Sequence, residues 1–237
     1  MEKIATPIKK ILIIEDEKCI LQIVRDALED AEFVVMSSPN GELGAELALK
    51  ENIDLVILDI MLPGIDGFEV VKRIKKKKPS LPIIILTAKS TEEDKLLGFE
   101  LGADDYITKP FSVKELIMRV NVCLRRVIAH YSAKKTAPNK YEFGDIKLDM
   151  IKMESFKKNK RLEFTKKEYD ILSYMINRKG EVVSRNDLLD VIWGYESIPE
   201  TRTVDTFIAR IRKKIEDKTT SPKYIKSVRS IGYKLDI

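Results

Sequence analysis

Residues 55–67 read Leu-Val-Ile-Leu-Asp-Ile-Met-Leu-Pro-Gly-Ile-Asp-Gly. Four apolar residues, Leu55–Leu58, run without a polar break, which suits a strand buried on both faces of a parallel sheet. The run stops on a carboxylate, Asp59, and passes into a loop carrying Pro63 and Gly64. Asp66, with Glu69 three positions on, then reads as a helix N-terminus. The same alternation extends in both directions. Apolar runs recur at Ile11–Ile14, Phe33–Met36 and Ile83–Leu86, with a shorter one at Tyr106–Ile107. Between them Ile20, Ile23, Val24, Ala27 and Leu28 repeat at helical spacing as one apolar stripe. Thr91 with Asp94 and Ser112 with Glu115 mark further helix starts. Five β–α units of this length predict an α/β fold, a doubly wound five-stranded parallel sheet with helices on both faces.

Composition bounds the rest. A chain of 237 residues with 44% hydrophobic and 34% charged residues has material for one or two globular domains. No run of about 18 apolar residues and no signal-peptide pattern appears, so neither membrane spanning nor secretion is expected. Cys19 and Cys123 lie far apart without metal-ligand spacing and read as buried free thiols of a reducing compartment, the cytoplasm. His130 is the one histidine, which excludes zinc–histidine sites and Ser-His-Asp hydrolases. The net charge of +5 is unevenly spread. Residues 1–128 are slightly acidic and residues 129–237 strongly basic, so the second half is expected to meet a polyanion.

In a doubly wound sheet, ligands bind beyond the carboxyl ends of the strands. Glu15 and Asp16 end the first strand, Asp59 the third and Thr87 the fourth, while Lys109 follows the fifth and precedes Pro110. Carboxylates gathered at one edge repel one another unless a cation binds among them. A hard divalent ion such as Mg²⁺ takes oxygen ligands there and keeps several waters. With a lysine and a hydroxyl added, this is a site for handling a phosphoryl group. Asp59, at the central strand's tip, is the group placed to attack phosphorus and form an acyl phosphate.

The stretches that carry this site are Ile-Leu-Ile-Ile-Glu-Asp-Glu (11–17), Leu-Asp-Ile-Met-Leu-Pro-Gly-Ile-Asp-Gly (58–67), Leu-Thr-Ala (86–88) and Gly-Ala-Asp-Asp-Tyr-Ile-Thr-Lys-Pro-Phe (102–111). Together they resemble the receiver domain of two-component response regulators. The resemblance implies that Asp59 is the phospho-acceptor and that Asp16, Asp59 and the main-chain carbonyl of Met61 hold the metal. Glu15 would act largely through water. It makes Thr87 and Tyr106 a switch pair and Lys109 the phosphate-binding lysine. It further implies a symmetric receiver dimer formed on phosphorylation, with Lys95, Glu100, Asp104, Asp105, Glu115, Arg119 and Arg126 as charges pairing across it.

The second half reads differently. A polar stretch at residues 131–140 is a linker between a first domain at 1–130 and a second at 141–237. Short alternating segments at Tyr141–Phe143, Ile146–Leu148, Met153–Phe156 and Arg161–Phe164 predict a small antiparallel sheet. Thr165 with Glu168 and Ser184 with Asp187 open two helices, and a third begins after Glu200. Tyr224–Val228 and Tyr233–Leu235 close the chain as a hairpin turning at Ser230-Ile231-Gly232. Sheet, three helices and terminal hairpin make an α+β winged helix-turn-helix. In the third helix Val204, Ile208, Ile211 and Ile215 form the apolar stripe, and the opposite face is expected to carry Arg202, Thr206, Arg210 and Lys213. Such a face suits the major groove. Arg210, central on that face, is expected to contact a base, and Lys213 and Lys214 to meet phosphates; the hairpin tip adds Lys226 and Arg229, the latter for a minor groove.

Phe164-Thr165-Lys166-Lys167-Glu168-Tyr169, Val191-Ile192-Trp193-Gly194, Arg202-Thr203-Val204-Asp205 and Val228-Arg229-Ser230-Ile231-Gly232-Tyr233 resemble the effector domain of the OmpR/PhoB subfamily. The resemblance implies a transcriptional regulator phosphorylated by a sensor histidine kinase, binding promoter DNA at tandem half-sites and working with RNA polymerase. Ser230 stands where the subfamily usually has glycine, so a positive φ there would add strain. Ala209 and Phe207 replace residues that are often polar or basic. Trp193 reads as a packing anchor, and Lys75–Lys78 as the solvated end of the third helix. A dehydrogenase is excluded by the missing Gly-x-Gly-x-x-Gly. A phosphohydrolase would need an acid two residues after Asp59, where Met61 stands. The remaining rival is a phosphorylation-independent DNA-binding regulator with a vestigial receiver.

Overall fold

The computed structural model describes residues 9–124, 140–194 and 201–237. The expected linker lies outside these residues except for Lys140, and so do Arg126 and His130. The chain divides between residues 124 and 125 into two compact units.

The N-terminal unit alternates strand and helix throughout: β1 (Lys10–Ile14), α1 (Lys18–Asp30), β2 (Val34–Ser38), α2 (Gly41–Lys50), β3 (Leu55–Leu58), α3 (Gly67–Lys77), β4 (Ile83–Thr87), α4 (Glu92–Leu101), β5 (Asp105–Thr108) and α5 (Val113–Leu124). The five strands are parallel in the order β2-β1-β3-β4-β5. The order reverses between β1 and β3, which puts a crevice at their carboxyl ends. Ile11, Ile13, Leu55, Ile57, Ile84, Leu86 and Ile107 fill one face against Val24 and Leu28 of α1 and Leu116, Val120 and Cys123 of α5.

Several helix-level expectations need correction. Ile23 is 52% exposed, and the stripe of α1 that meets the core is Ile20, Leu21, Val24 and Leu28. Cys19, one position before Ile20, is exposed; Cys123 alone is buried. The lysine run is not uniformly solvated. Lys75 is buried and donates to Asp104 Oδ2 and to Leu81 O, both at 2.7 Å. Lys78 donates to Ala48 O and Glu51 O, closing the end of α2. Helical spacing turns only Lys76 and Lys77 of the four to solvent.

The C-terminal unit opens with an antiparallel meander, β6 (Lys140–Phe143), β7 (Ile146–Asp149), β8 (Glu154–Lys157) and β9 (Lys160–Leu162). Three helices follow: α6 (Lys166–Ile176), α7 (Arg185–Trp193) and α8 (Thr201–Ile215). The hairpin β11 (Ile225–Val228) and β12 (Gly232–Leu235) pairs with a third strand, β10 (Val182–Ser184), which the sequence reading passed over. Gly232 is required there, since a Cβ would overlap Val183 O across the β10–β12 pair. Both capping boxes form, at Thr165/Glu168 and at Ser184/Asp187. Trp193 is fully buried, edge-on to Phe207 at 5.3 Å between centroids, so Phe207 belongs to the core and not to the reading face. Ser230 at the hairpin tip has φ +61°, the left-handed conformation anticipated from the missing glycine.

Candidate functional site

The crevice at the β1/β3 switch point gathers the acidic residues of the N-terminal unit. Asp59 continues the ladder past the end of β3, donating its N–H to Ile14 O at 2.9 Å. Glu15 does the same past β1, toward Ser38 O at 3.1 Å. Backbone pairing therefore aims both side chains beyond the sheet, and both are almost fully buried. Gly67 lets α3 start directly against this loop, because a Cβ there would overlap Ile60 Cα.

Lys109 reaches in from the end of β5, its own N–H held by Thr87 O at 2.8 Å. Its Nζ lies 2.6 Å from Asp59 Oδ2, 2.9 Å from Glu15 Oε2 and 3.3 Å from Glu17 Oε1. Asp59 Oδ1 accepts the N–H of Met61 at 2.9 Å. One ammonium thus serves three carboxylates, and one oxygen from each lies within 4.8 Å of the other two. Burial holds the Glu15 carboxyl above its ordinary range, more than the Lys109 contact lowers it. Burial also works against the Lys109 ammonium, but the Asp59 and Glu15 contacts outweigh it and hold its pKa up. Hard oxygen donors in formal excess over the single cation fit a divalent ion. Glu17 was missed as a contributor, although it stands in the quoted Glu-Asp-Glu. Asp16 is half-buried and stands outside the converging trio.

Thr87 is fully buried, its Oγ1 accepting the Lys89 N–H at 3.4 Å. Tyr106 is buried beside it and donates its hydroxyl to Lys89 O at 3.0 Å. Burial, with Asp94 and Asp59 nearby, pushes the Tyr106 hydroxyl well above the usual phenol range. Three of the charges expected on an exposed dimer face point inward instead. Asp104 pairs with Lys75 and also accepts the Ile83 N–H at 3.0 Å. Asp105 pairs with Arg119 at 2.8 Å, and Arg119 also reaches Glu115 at 2.7 Å. Asp104, Asp105 and Arg119 are all buried, Asp104 neutralised by Lys75 and Asp105 by Arg119. Glu100 is exposed, and Lys95 and Glu115 are half-buried.

In the C-terminal unit, α8 sorts its polar residues into three strips. Arg202, Ala209 and Lys213 are exposed with Thr206 half-exposed between them. On one flank Arg185 and the Tyr233 hydroxyl meet Asp205 Oδ1 at 2.7 and 2.5 Å, and Arg212 donates to Ile225 O and Ser227 Oγ. Burial, then the Asp205 hydrogen bond, raises the Tyr233 hydroxyl to about 12. On the other flank Glu168, fully buried, lies 2.6 Å from Lys214 Nζ and 3.2 Å from Arg210 Nε. Arg210 is therefore not central on the open face: its side chain is 14% exposed and stacks on Phe207. Lys214 likewise stacks on Phe164. The sequence identified Glu168 as a cap; its second role needed the tertiary fold.

Residues 11–121 match the family model described as the response regulator receiver domain, and residues 159–235 that of transcriptional regulatory protein, C terminal. The alkaline phosphatase synthesis transcriptional regulatory protein PhoP of Bacillus subtilis (strain 168) is 42% identical over 232 residues, spanning 96% of this chain and 97% of that protein. The chain belongs to the OmpR/PhoB family of two-component response regulators. Among solved structures, the response regulator DrrB, described as a Thermotoga maritima OmpR/PhoB homolog, is 37% identical over 97% of this chain and 99% of that one, with a TM-score of 0.49. A mutant of the protein RitR is 26% identical over 96% of this chain and 99% of that one, with a TM-score of 0.77. The N-terminal unit is thus the receiver and the C-terminal unit the DNA-binding effector of a transcriptional response regulator. Among the described residues no helix is long and apolar enough to cross a membrane.

Proposed function

We propose that Asp59 accepts a phosphoryl group from a sensor histidine kinase and that the aspartyl phosphate controls binding to promoter DNA. The observation that carries this is the Lys109 ammonium held 2.6 Å from a buried Asp59 carboxylate at the sheet's switch point. An Asp59 carboxylate oxygen attacks phosphorus, the bond from phosphorus to the donor breaks, and an acyl phosphate forms. Lys109 stays with the phosphoryl oxygens and neutralises their charge. Glu15, Asp16, Asp59 and the Met61 carbonyl would hold Mg²⁺, with Glu17 alongside, and the ion supplies further charge neutralisation. No external substrate is turned over.

Thr87 and Tyr106 form the switch pair, coupling the pocket to the face of α4, β5 and α5. Dimerisation through that face leaves Lys95, Glu100 and Glu115 as the accessible charges, with Asp104, Asp105 and Arg119 bracing it from inside. Residues 1–130 act as the receiver and residues 131–140 as a linker. The linker allows two effector domains, 141–237, to bind tandem half-sites about 10–11 bp apart. There α8 enters the major groove with Arg202, Thr206 and Lys213 forward. Arg229 at the hairpin tip meets a minor groove. A promoter-bound regulator of this kind works with RNA polymerase in the cytoplasm.

Labelling with acetyl phosphate and Mg²⁺ tests the core of this reading. Asp59→Asn keeps the size and removes the nucleophile, so stable labelling should fall to background. An Asn protein that labels as well as the parent would place the acceptor elsewhere.

A further inference from the structure

We propose that the centre of α8 reads thymine methyl groups, with Ala209 as the principal contact and Thr206 beside it. This rests on the reading that α8 enters the major groove. At 3.6 residues per turn, Arg202, Thr206, Ala209 and Lys213 fall within about 60° of arc, so one stripe faces outward. The neighbouring polar residues are held away from it. Arg210 and Lys214 are drawn to Glu168, and Asp205 and Arg212 to the hairpin and Tyr233. The exposed cations of that stripe stand at its ends, Arg202 and Lys213, roughly 16 Å apart along the axis.

The middle of that stripe has no hydrogen-bond donor to offer a base. Ala209 carries only a methyl group. Thr206 donates its hydroxyl proton to Arg202 O at 3.2 Å, leaving lone pairs and a methyl. Guanine presents two acceptors in the major groove and is read by donors, whereas thymine alone presents a C5-methyl. Two small side chains also let the helix axis approach the base edges closely. Close approach and a methyl surface select a thymine at the half-site centre, flanked by bases or phosphates within reach of the two cations. A relative with a long cation at position 209 would read a different base there, so Ala209 determines specificity in this chain.

The test uses the full chain and a binding site selected in vitro from random duplex DNA. Each thymine is replaced in turn by deoxyuridine, which removes the C5-methyl and nothing else. At one or two positions per half-site the replacement should weaken binding about fourfold, the equivalent of ~0.8 kcal/mol for one buried methyl. Ala209→Gly should bind thymine and uracil equally at one of those positions while keeping the penalty elsewhere. Uniform tolerance of uracil by the parent protein overturns the proposal, as does an unchanged set of penalties in the Gly variant. The parent scan needs no variant, so a folding defect in Ala209→Gly cannot obscure it. Lys213→Ala separates the two layers. It should weaken all sequences alike and lower the salt slope by about one. If it does neither, the placement of α8 in the groove fails, whatever uracil does.

Discussion

In the receiver, one ammonium, Lys109 Nζ, serves three carboxylates. In the effector domain, one carboxylate, that of Glu168, serves two cations. The clusters are inverse in sign, and they differ equally in access. Glu17 at the rim of the receiver cluster is largely exposed, so an incoming cation or phosphoryl group can reach the charges. Glu168 is sealed under α8, and it also accepts the Thr165 N–H at 2.6 Å. A charge imbalance left open to solvent is a site that awaits a ligand. One closed over by its own chain is a fastening that sets where a helix lies.

The most damaging substitution should therefore be in the closed cluster. Glu168→Gln keeps the capping-box geometry, so its effect isolates the charge. Removing one partner of a buried pair costs about 3–5 kcal/mol, and urea unfolding followed at Trp193 should show a loss of that size. A change below about 1 kcal/mol would mean that Arg210 and Lys214 are held by something other than Glu168. The open cluster should be more forgiving. Lys109→Gln leaves buried carboxylates without their ammonium, at a cost of roughly 1–3 kcal/mol in metal-free buffer. Mg²⁺ should restore much of that stability, whereas it should do nothing for Glu168→Gln. Equal responses of the two variants to Mg²⁺ would erase the distinction drawn between them.

The third effect is smaller and depends on pH. Because burial holds the Glu15 carboxyl up, the folded receiver binds that proton more tightly than the unfolded chain does. The resulting stability is present below the ordinary value of 4.5 and is lost as pH rises through the raised one. In the absence of divalent ions Glu15→Gln should be more stable than the parent at pH 7. The gain should vanish below about pH 4.5, and melting curves across that range decide it. A constant difference at all pH values would remove titration as its cause. The smallest effect belongs to the wing. Ser230→Gly relieves a left-handed residue and should gain less than about 1 kcal/mol, measured as a rise in the effector's thermal midpoint.

The receiver sheet was legible because each strand carries an unbroken apolar stretch, only Tyr106–Ile107 in β5, and strand ends are where a parallel sheet exposes its polar residues. Asp59, Glu15, Thr87 and Lys109 could be placed from that alone. Side-chain orientation on helices was less legible wherever a charged residue had a buried partner far away in sequence. Lys75 lies in a run of four lysines, and nothing local distinguishes it from Lys76. Its inward turn depends on Asp104, which is 29 positions away. Arg210 looked central on the open face for the same reason, since its partner Glu168 lies on another helix. Ile23 and Cys19 show the converse, apolar or small residues that helical spacing leaves outside once Val24 and Leu28 have taken the core. Ser230 could be read because a backbone requirement at a tight turn acts within three residues.

The fastening of α8 to the terminal hairpin has a mechanical consequence. Asp205 is held by Arg185 and Tyr233, and Arg212 is bonded to Ile225 O and Ser227 Oγ. Helix and hairpin are thus pinned together at two points along α8, contacts that resist sliding of one past the other. The distance from the reading stripe to Arg229 is then a fixed length, like the span of a caliper. Any mismatch between that span and the groove spacing of a given operator has to be absorbed by the duplex. With α8 and Arg229 docked as proposed, operators that bend or narrow easily at the flank should be favoured, even at base pairs the protein never touches.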